Sequence, residues 1–274
     1  MPFTAATYNV LATAYINPAW YAGVPRELFD PAWRVPALVR HVEGLGADLL
    51  CLQEVERDIL TALDERLGAL GYQGHYEKKG AGRPDGCATF FRKGAFTEVQ
   101  RERLAYRDRG PGRQGDSGHV ALLLYLGYEG RLLGVANTHV RWDRPETPRD
   151  EQVGYRQVEE LLEACVRYTP RCDGWVICGD FNRTPDAEAV SAMRQAGFVF
   201  AHAGQPHARS CVAHGRAQLI DYLFHSAALR SLPRDPPALA DDTPLPSREQ
   251  PSDHLALVAE FEWKPPAAYW AQPG

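Results

Sequence analysis

The chain has 274 residues, 45% hydrophobic and 24% charged, with a net charge of −5 and a pI near 6.0. This length suffices for one or two domains with a core that needs no staples, and the acidic balance excludes a protein that coats duplex nucleic acid through a basic surface. No apolar run approaches the ~18 residues that span a bilayer, and the N-terminus, MPFTAATYNVL, lacks the basic segment and apolar stretch of a secretory signal.

Short apolar runs alternate with helical patterns. Ala6 to Leu11 reads as a strand. Val35, Leu38, Val39 and Val42 give helical spacing over 33–46. The continuous apolar run DLLCLQEV (48–55) is a buried strand, and 57–70 is a helix closed by Gly71. CATFFR, from Cys87, is a strand, and 119–140 forms a hairpin about Glu129-Gly130. A helix over 150–168 places Val153, Val158, Leu161, Leu162 and Val166 on one side. WVICGDFN follows as a strand, then a helix over 185–196, then the strands AQLIDYLFHS and HLALVAEFEW. The hairpin argues against a purely parallel sheet, so two packed sheets with helices outside are expected.

Residues 106–118, rich in arginine and glycine, and 233–251, with six prolines, read as long loops. One domain over 1–264 and a flexible tail over 265–274 are expected. None of the six cysteines forms a C-x-x-C pair, and Cys51, Cys87 and Cys178 fall in buried strands, so reduced thiols and a cytoplasmic protein are expected.

The polar residues gather at strand ends. Asn9 ends one apolar run, Glu54 a second, His139 a third, and Asp180 and Asn182 a fourth. Asp221 interrupts a fifth, and Asp253-His254 opens a sixth. Each alone has an ordinary explanation: a strand terminator, an acid at a helix start, a core histidine, a turn. Together they describe a site built by loops at one edge of the sheets.

The segments YNVL (8–11), LQEV (52–55), NTHV (137–140), GDFN (179–182), LIDYLF (219–224) and SDHLAL (252–257) occur in an order that resembles the endonuclease/exonuclease/phosphatase superfamily. YNVLATAY, the helix leading from Trp33 into LQEV, and DGCATFFRK from Asp85 resemble its deadenylase, nocturnin and Angel branch. The resemblance implies a DNase I-like, four-layer α/β/β/α sandwich of two mixed sheets. It implies Mg²⁺, with Mn²⁺ able to substitute, held by Glu54 with Asn9 and Asp253. Asp180, Asn182, His139, Asp221 and His254 would be catalytic, with Asp180 or His254 as base and Asp221 holding His254. His119 stands where that branch usually has Asn. It joins Trp142, a candidate platform for a stacked base, and Arg183, a phosphate contact or a solvated arginine, as candidates for substrate binding. The implied function is hydrolysis at the 3′ end of single-stranded RNA, as a 3′–5′ exoribonuclease or a 2′,3′-cyclic phosphatase, with no membrane and no obligate protein partner. The alternatives are a phosphodiesterase acting on DNA, a nucleotide cofactor or a phospholipid head group, and a binding module without activity.

Overall fold

The computed structural model describes residues 1–108, 117–144, 146–168, 171–213 and 215–265. The middle of the arginine-rich loop, with Arg109 and Arg113, and the tail beyond Pro265 lie outside the described residues.

Two six-stranded mixed sheets pack face to face. The first runs β13 (Leu229–Pro233), β14 (Leu257–Trp263), β1 (Phe3–Asn9), β2 (Leu49–Val55), β4 (Gly86–Arg92), β3 (Tyr72–Lys78). The second runs β5 (Thr97–Ala105), β6 (Val120–Tyr128), β7 (Arg131–His139), β8 (Gly174–Asp180), β12 (Asp221–His225), β9 (Val199–Phe200). A small hairpin, β10 (Cys211–Ala213) and β11 (Arg216–Gln218), forms a sheet of its own and bridges from Cys211 to His254. Helices α1 (Pro31–Gly44) and α2 (Arg57–Ala69) cover the first sheet, and α3 (Val153–Tyr168) and α4 (Glu188–Gln195) the second.

The four layers follow from strand alternation. In β1 and β2, Ala6, Tyr8, Leu50 and Leu52 point outward to Leu38, Val42, Ile59 and Leu63 of the helices. Phe3, Ala5, Leu49 and Cys51 point inward to the second sheet. The helices start and stop within a few residues of their expected bounds. Residues 149–151 form a separate 3₁₀ turn before α3. Strands β3 and β5 were not expected. β5 (TEVQRERLA) is an exposed, charged edge strand, a composition that protects a sheet edge but hides the strand in the sequence.

Strand direction gathers the site. β1 and β2 are parallel, so Asn9 and Glu54 leave the first sheet at the same edge. β7 and β8 are parallel with His139 opposite Asp180. β12 runs antiparallel to β8 and begins at Asp221, opposite Asp180, so this aspartate opens its strand rather than interrupting it. Gly179 permits this close register: a Cβ there would lie 2.1 Å from the Thr138 carbonyl oxygen.

All six cysteines are free, five of them buried and Cys172 half-buried. In the native protein Cys172 should therefore react first with a thiol reagent, and denaturation without reductant should release six thiols. Recovery of four or fewer would contradict the reduced state.

Candidate active site

Between the sheets the apolar core gives way to hydrogen-bonding side chains toward the site edge. Gln53 Nε2 donates to Asn137 Oδ1 (2.8 Å) and Thr7 Oγ1 (3.1 Å). Asn137 Nδ2 donates across the interface to the carbonyls of Leu52 (3.1 Å) and Ala88 (2.8 Å). Both side chains are fully buried, and a satisfied buried network of this kind fixes one sheet against the other.

Above this network, Asn9 joins the two sheets. Its Nδ2 donates to Glu54 Oε1 (3.1 Å) and to Asp180 Oδ2 (3.0 Å), and its Oδ1 accepts from the Leu11 backbone N–H (3.0 Å). Glu54 Oε2 accepts from the Ala12 N–H (2.8 Å). Glu54, Asn182 and Leu11 all hold left-handed φ, at 57°, 52° and 57°. Strain of this kind persists where surrounding contacts over-determine it, commonly at functional sites. Burial raises the Glu54 carboxyl above its ordinary range, against the opposing pull of Lys79.

Asp180 Oδ1 accepts from the Asn182 N–H (2.8 Å). Burial, with the charge of Asp221, pushes its carboxyl up to about 7, against the pull of His254. His254 Nδ1 lies 2.8 Å from Asp221 Oδ2, and its Nε2 is 3.9 Å from Asp180 Oδ2. Burial opposes charge on His254, but Asp221 in contact, with Asp253 and Asp180 beyond, outweighs it and raises the imidazole well above its ordinary range. His254 is thus an imidazolium.

His139 is the opposite case. Burial, and then the neighbouring Lys79 ammonium, hold it well below the ordinary range, so it is neutral. Lys79 Nζ lies 3.2 Å from His139 Nδ1 and 2.7 Å from Asp85 Oδ2, and Asp85 Oδ1 accepts from the Tyr15 hydroxyl (2.7 Å). Both ring nitrogens thus face donors: Nδ1 faces the ammonium, and Nε2, 3.6 Å from Asp180 Oδ2, lies 3.0 Å from the Asn182 amide nitrogen, which also donates to the Val140 carbonyl. Lys79 belongs to no motif of the sequence, and Tyr15 and Asp85 are visible there only as the end of YNVLATAY and the start of DGCATFFRK.

These side chains surround a cavity of about 370 Å³ lined by Tyr15, Glu54, Lys79, His139, Asp180 and His254, with Arg83 and Arg141 also on its wall. Of the other candidates, Asn182, Trp142 and His119 also line it. Trp142 is 56% exposed, as a stacking platform must be. His119 is buried, its Nδ1 2.9 Å from Ser117 Oγ and its ring edge-on to His139 at 6.0 Å. Burial, with Lys79, Arg83 and Arg141, takes it down to about 2, so it is neutral. Asn9 and Asp221 sit beneath the lining. Asp253 faces a neighbouring cleft that Glu54 also lines, where it accepts from the Tyr21 hydroxyl (3.1 Å). Arg183 is not a solvated arginine: its guanidinium lies against Asp143 Oδ2 at 2.6 Å, with both side chains at least nine-tenths buried.

The family model described as endonuclease/exonuclease/phosphatase matches residues 6–254. The chain belongs to this family. Relatives within the endonuclease/exonuclease/phosphatase family include carbon catabolite repressor protein 4 homolog 1 of Arabidopsis thaliana, 28% identical over 97% of this chain and 58% of that protein. Another is protein angel homolog 2 of Mus musculus, 29% identical over 70% of this chain and 37% of that protein. The chain thus spans about half the length, or less, of these curated relatives. Among solved structures, the human nocturnin catalytic domain with bound sulfate superposes with a TM-score of 0.75 at 25% identity, covering 96% of this chain and 94% of that one. The crystal structure of ANGEL2, a 2′,3′-cyclic phosphatase, in complex with adenosine-2′,3′-vanadate, gives 0.80 at 22% identity and 95% coverage of each chain. These likenesses agree with the four-layer fold of the endonuclease/exonuclease/phosphatase family. Among the described residues, no helix is long and apolar enough to cross a membrane.

Proposed function

We propose that this protein hydrolyses a phosphate ester at the 3′ end of single-stranded RNA, with a divalent metal as cofactor. The observation that carries the reading is geometric. Asp180, whose carboxyl burial pushes up to about 7, lies 3.9 Å from His254, which Asp221 raises against the effect of burial, and both line one cavity with Glu54 and His139. A base near neutral pH beside a fixed cation is what attack of water on a phosphate requires. RNA is favoured because the curated relatives include a CCR4-Not complex 3′–5′-exoribonuclease subunit, of Yarrowia lipolytica, 26% identical over 96% of this chain.

Asp180 would take the proton of the attacking water, oriented by Asn9 and by the Asn182 backbone N–H. His254, kept charged by Asp221, and neutral His139 would donate to the phosphate oxygens. The site suits a metal by its carboxylates: Asp180 and Asp221 are buried, and Glu54, half-buried, lines the same cavity as Asp180. Glu54 would hold the ion, with Asp253 from the adjoining cleft. Asn9 would keep Glu54 and Asp180 in register, offering the second lone pair of its Oδ1. Oxygen donors without thiolate suit Mg²⁺ or Mn²⁺. The bound ion would neutralise charge on the phosphate and lower the pKa of water. The six free thiols support a cytoplasmic place of action.

The test is incubation with end-labelled RNAs carrying 3′-hydroxyl, 3′-phosphate or 2′,3′-cyclic phosphate ends, with Mg²⁺ or with EDTA. A ladder of shortened products selects the exoribonuclease. Conversion of the end group at constant length selects the phosphatase. EDTA should abolish either activity, and Mn²⁺ should restore it. Equal rates on single-stranded DNA, or full activity in EDTA, would overturn the proposal.

A further inference from the structure

A cavity of about 760 Å³, larger than the catalytic one, lies elsewhere in the second half of the chain. It lies where α4, β9, the 201–209 turn and β11 meet. We propose that it binds a nucleotide of the RNA strand upstream of the scissile phosphate, with the base on an aromatic floor and the phosphate between two arginines. The proposal rests on the RNA reading above.

Continuity is the first argument. Trp142 and Asn182 line both the catalytic cavity and a second cleft of about 340 Å³. Thr184 and Gln218 line both that cleft and the large cavity. Thr184 is two residues from Asn182, so no more than ~7 Å of chain separates the ends of the connecting cleft wall. A strand leaving the catalytic phosphate past exposed Trp142 has an open path into the large cavity.

Chemistry is the second. Phe198, Phe200 and Tyr222 line the cavity, and the last two meet edge to face at 4.9 Å. Val199 adds an exposed apolar surface. Such a surface accepts any base by stacking, typically worth ~1–3 kcal/mol per base. Gln205 Oε1 is buried with no hydrogen-bond partner among the described residues, an acceptor suited to the amino group of a base.

Charge decides between occupants. Arg194 donates to the Pro185 carbonyl and Ser191 Oγ, and Arg209 to the carbonyls of Pro206 and Ala208. Among the described residues neither forms an ion pair with a carboxylate. Two arginines left with neutral partners, in a chain of net charge −5, mark an anion site. An apolar protein segment would use the aromatic floor and leave both guanidinium groups unanswered, whereas a nucleotide uses both.

The experiment compares hydrolysis of a dinucleotide with that of an octanucleotide, together with binding of a 5′-fluorescent octanucleotide in EDTA. In the wild type, kcat/KM should be at least 10-fold higher for the octanucleotide. In the Arg194→Ala/Arg209→Ala protein that ratio should fall toward one, with a shallower salt dependence of binding. Phe198→Ala, at a half-buried position, should lower the ratio without changing the salt slope. A wild-type ratio near one, or a ratio untouched by removing both arginines, overturns the proposal and gives the cavity to another occupant, such as an apolar segment of a protein partner. If the wild type cuts no RNA, the function reading fails by itself. Octanucleotide binding that still depends on Arg194 and Arg209 would then uphold the subsite, and its absence would sink both.

Discussion

Asp180→Asn should lower kcat by ~10²–10⁴-fold, the usual cost of losing a positioned general base. The fold should survive and even gain. Burial and the charge of Asp221 raise the Asp180 carboxyl from its ordinary value of 3.8 to about 7. A carboxyl raised in the folded state binds its proton more tightly there than in the unfolded chain. Its favourable contribution is therefore complete below the unfolded pKa, and it is lost as pH rises through the folded value. In metal-free protein at pH 8 the wild type carries a buried charge that the amide does not, so the variant should melt higher. At pH 6, where Asp180 is mostly protonated, the gap should shrink. The amide oxygen can still accept from Asn9, but the bond from the Asn182 N–H is then lost, which offsets part of the gain. Added Mg²⁺ should stabilise the wild type more than the variant. A variant that keeps more than a tenth of the wild-type kcat, or that unfolds at low temperature at pH 8, would remove Asp180 from the role of base.

His254→Ala should cost a similar factor in kcat, and here the damage to the fold is part of the test. Asp221 is fully buried and meets His254 at 2.8 Å, and its other oxygen has no hydrogen-bond partner. Removing the imidazole strands a carboxylate in the interior, a loss of about 3–5 kcal/mol by analogy with broken buried pairs. Asp221→Asn removes the charge instead, and it should lower activity by releasing His254 from its charged state. The double variant, Asp221→Asn/His254→Ala, should be more stable than His254→Ala and no less active, because the two residues act as a unit. A double variant whose kcat is the product of the two single losses would show that Asp221 acts independently of His254.

Much of this site was legible in the chain. Asn9, Glu54, His139, Asp180 and His254 each end or open an apolar run, and the directions of those strands bring the run ends to one edge. What escaped belongs to surfaces without periodicity. β3 and β5 are edge strands whose polar side chains face water, so nothing apolar marks them. Lys79 follows β3 and is lost with it, although it pairs with Asp85 and faces Nδ1 of His139 in the site. Arg183 looked solvated because its partner, Asp143, is 40 residues away, and pairing over such a distance leaves no local trace. The distal cavity is assembled from a short helix, a two-residue strand and a turn, elements too brief to carry a pattern.

The pairing of β1 with β14 sets the timing of activity during synthesis. Phe3 lies opposite Phe261 and Thr7 opposite Leu257, so β1 waits for β14, about 250 residues later, before its outer edge is covered. At ~5–20 residues per second that wait is about 12–50 s on the ribosome. Until β14 docks, β1 has only β2 beside it, and His254 and Asp253 are not yet in place. A nascent chain can therefore assemble Glu54, His139 and Asp180 and still lack the imidazolium. The candidate site is therefore complete only once β14 has closed the first sheet.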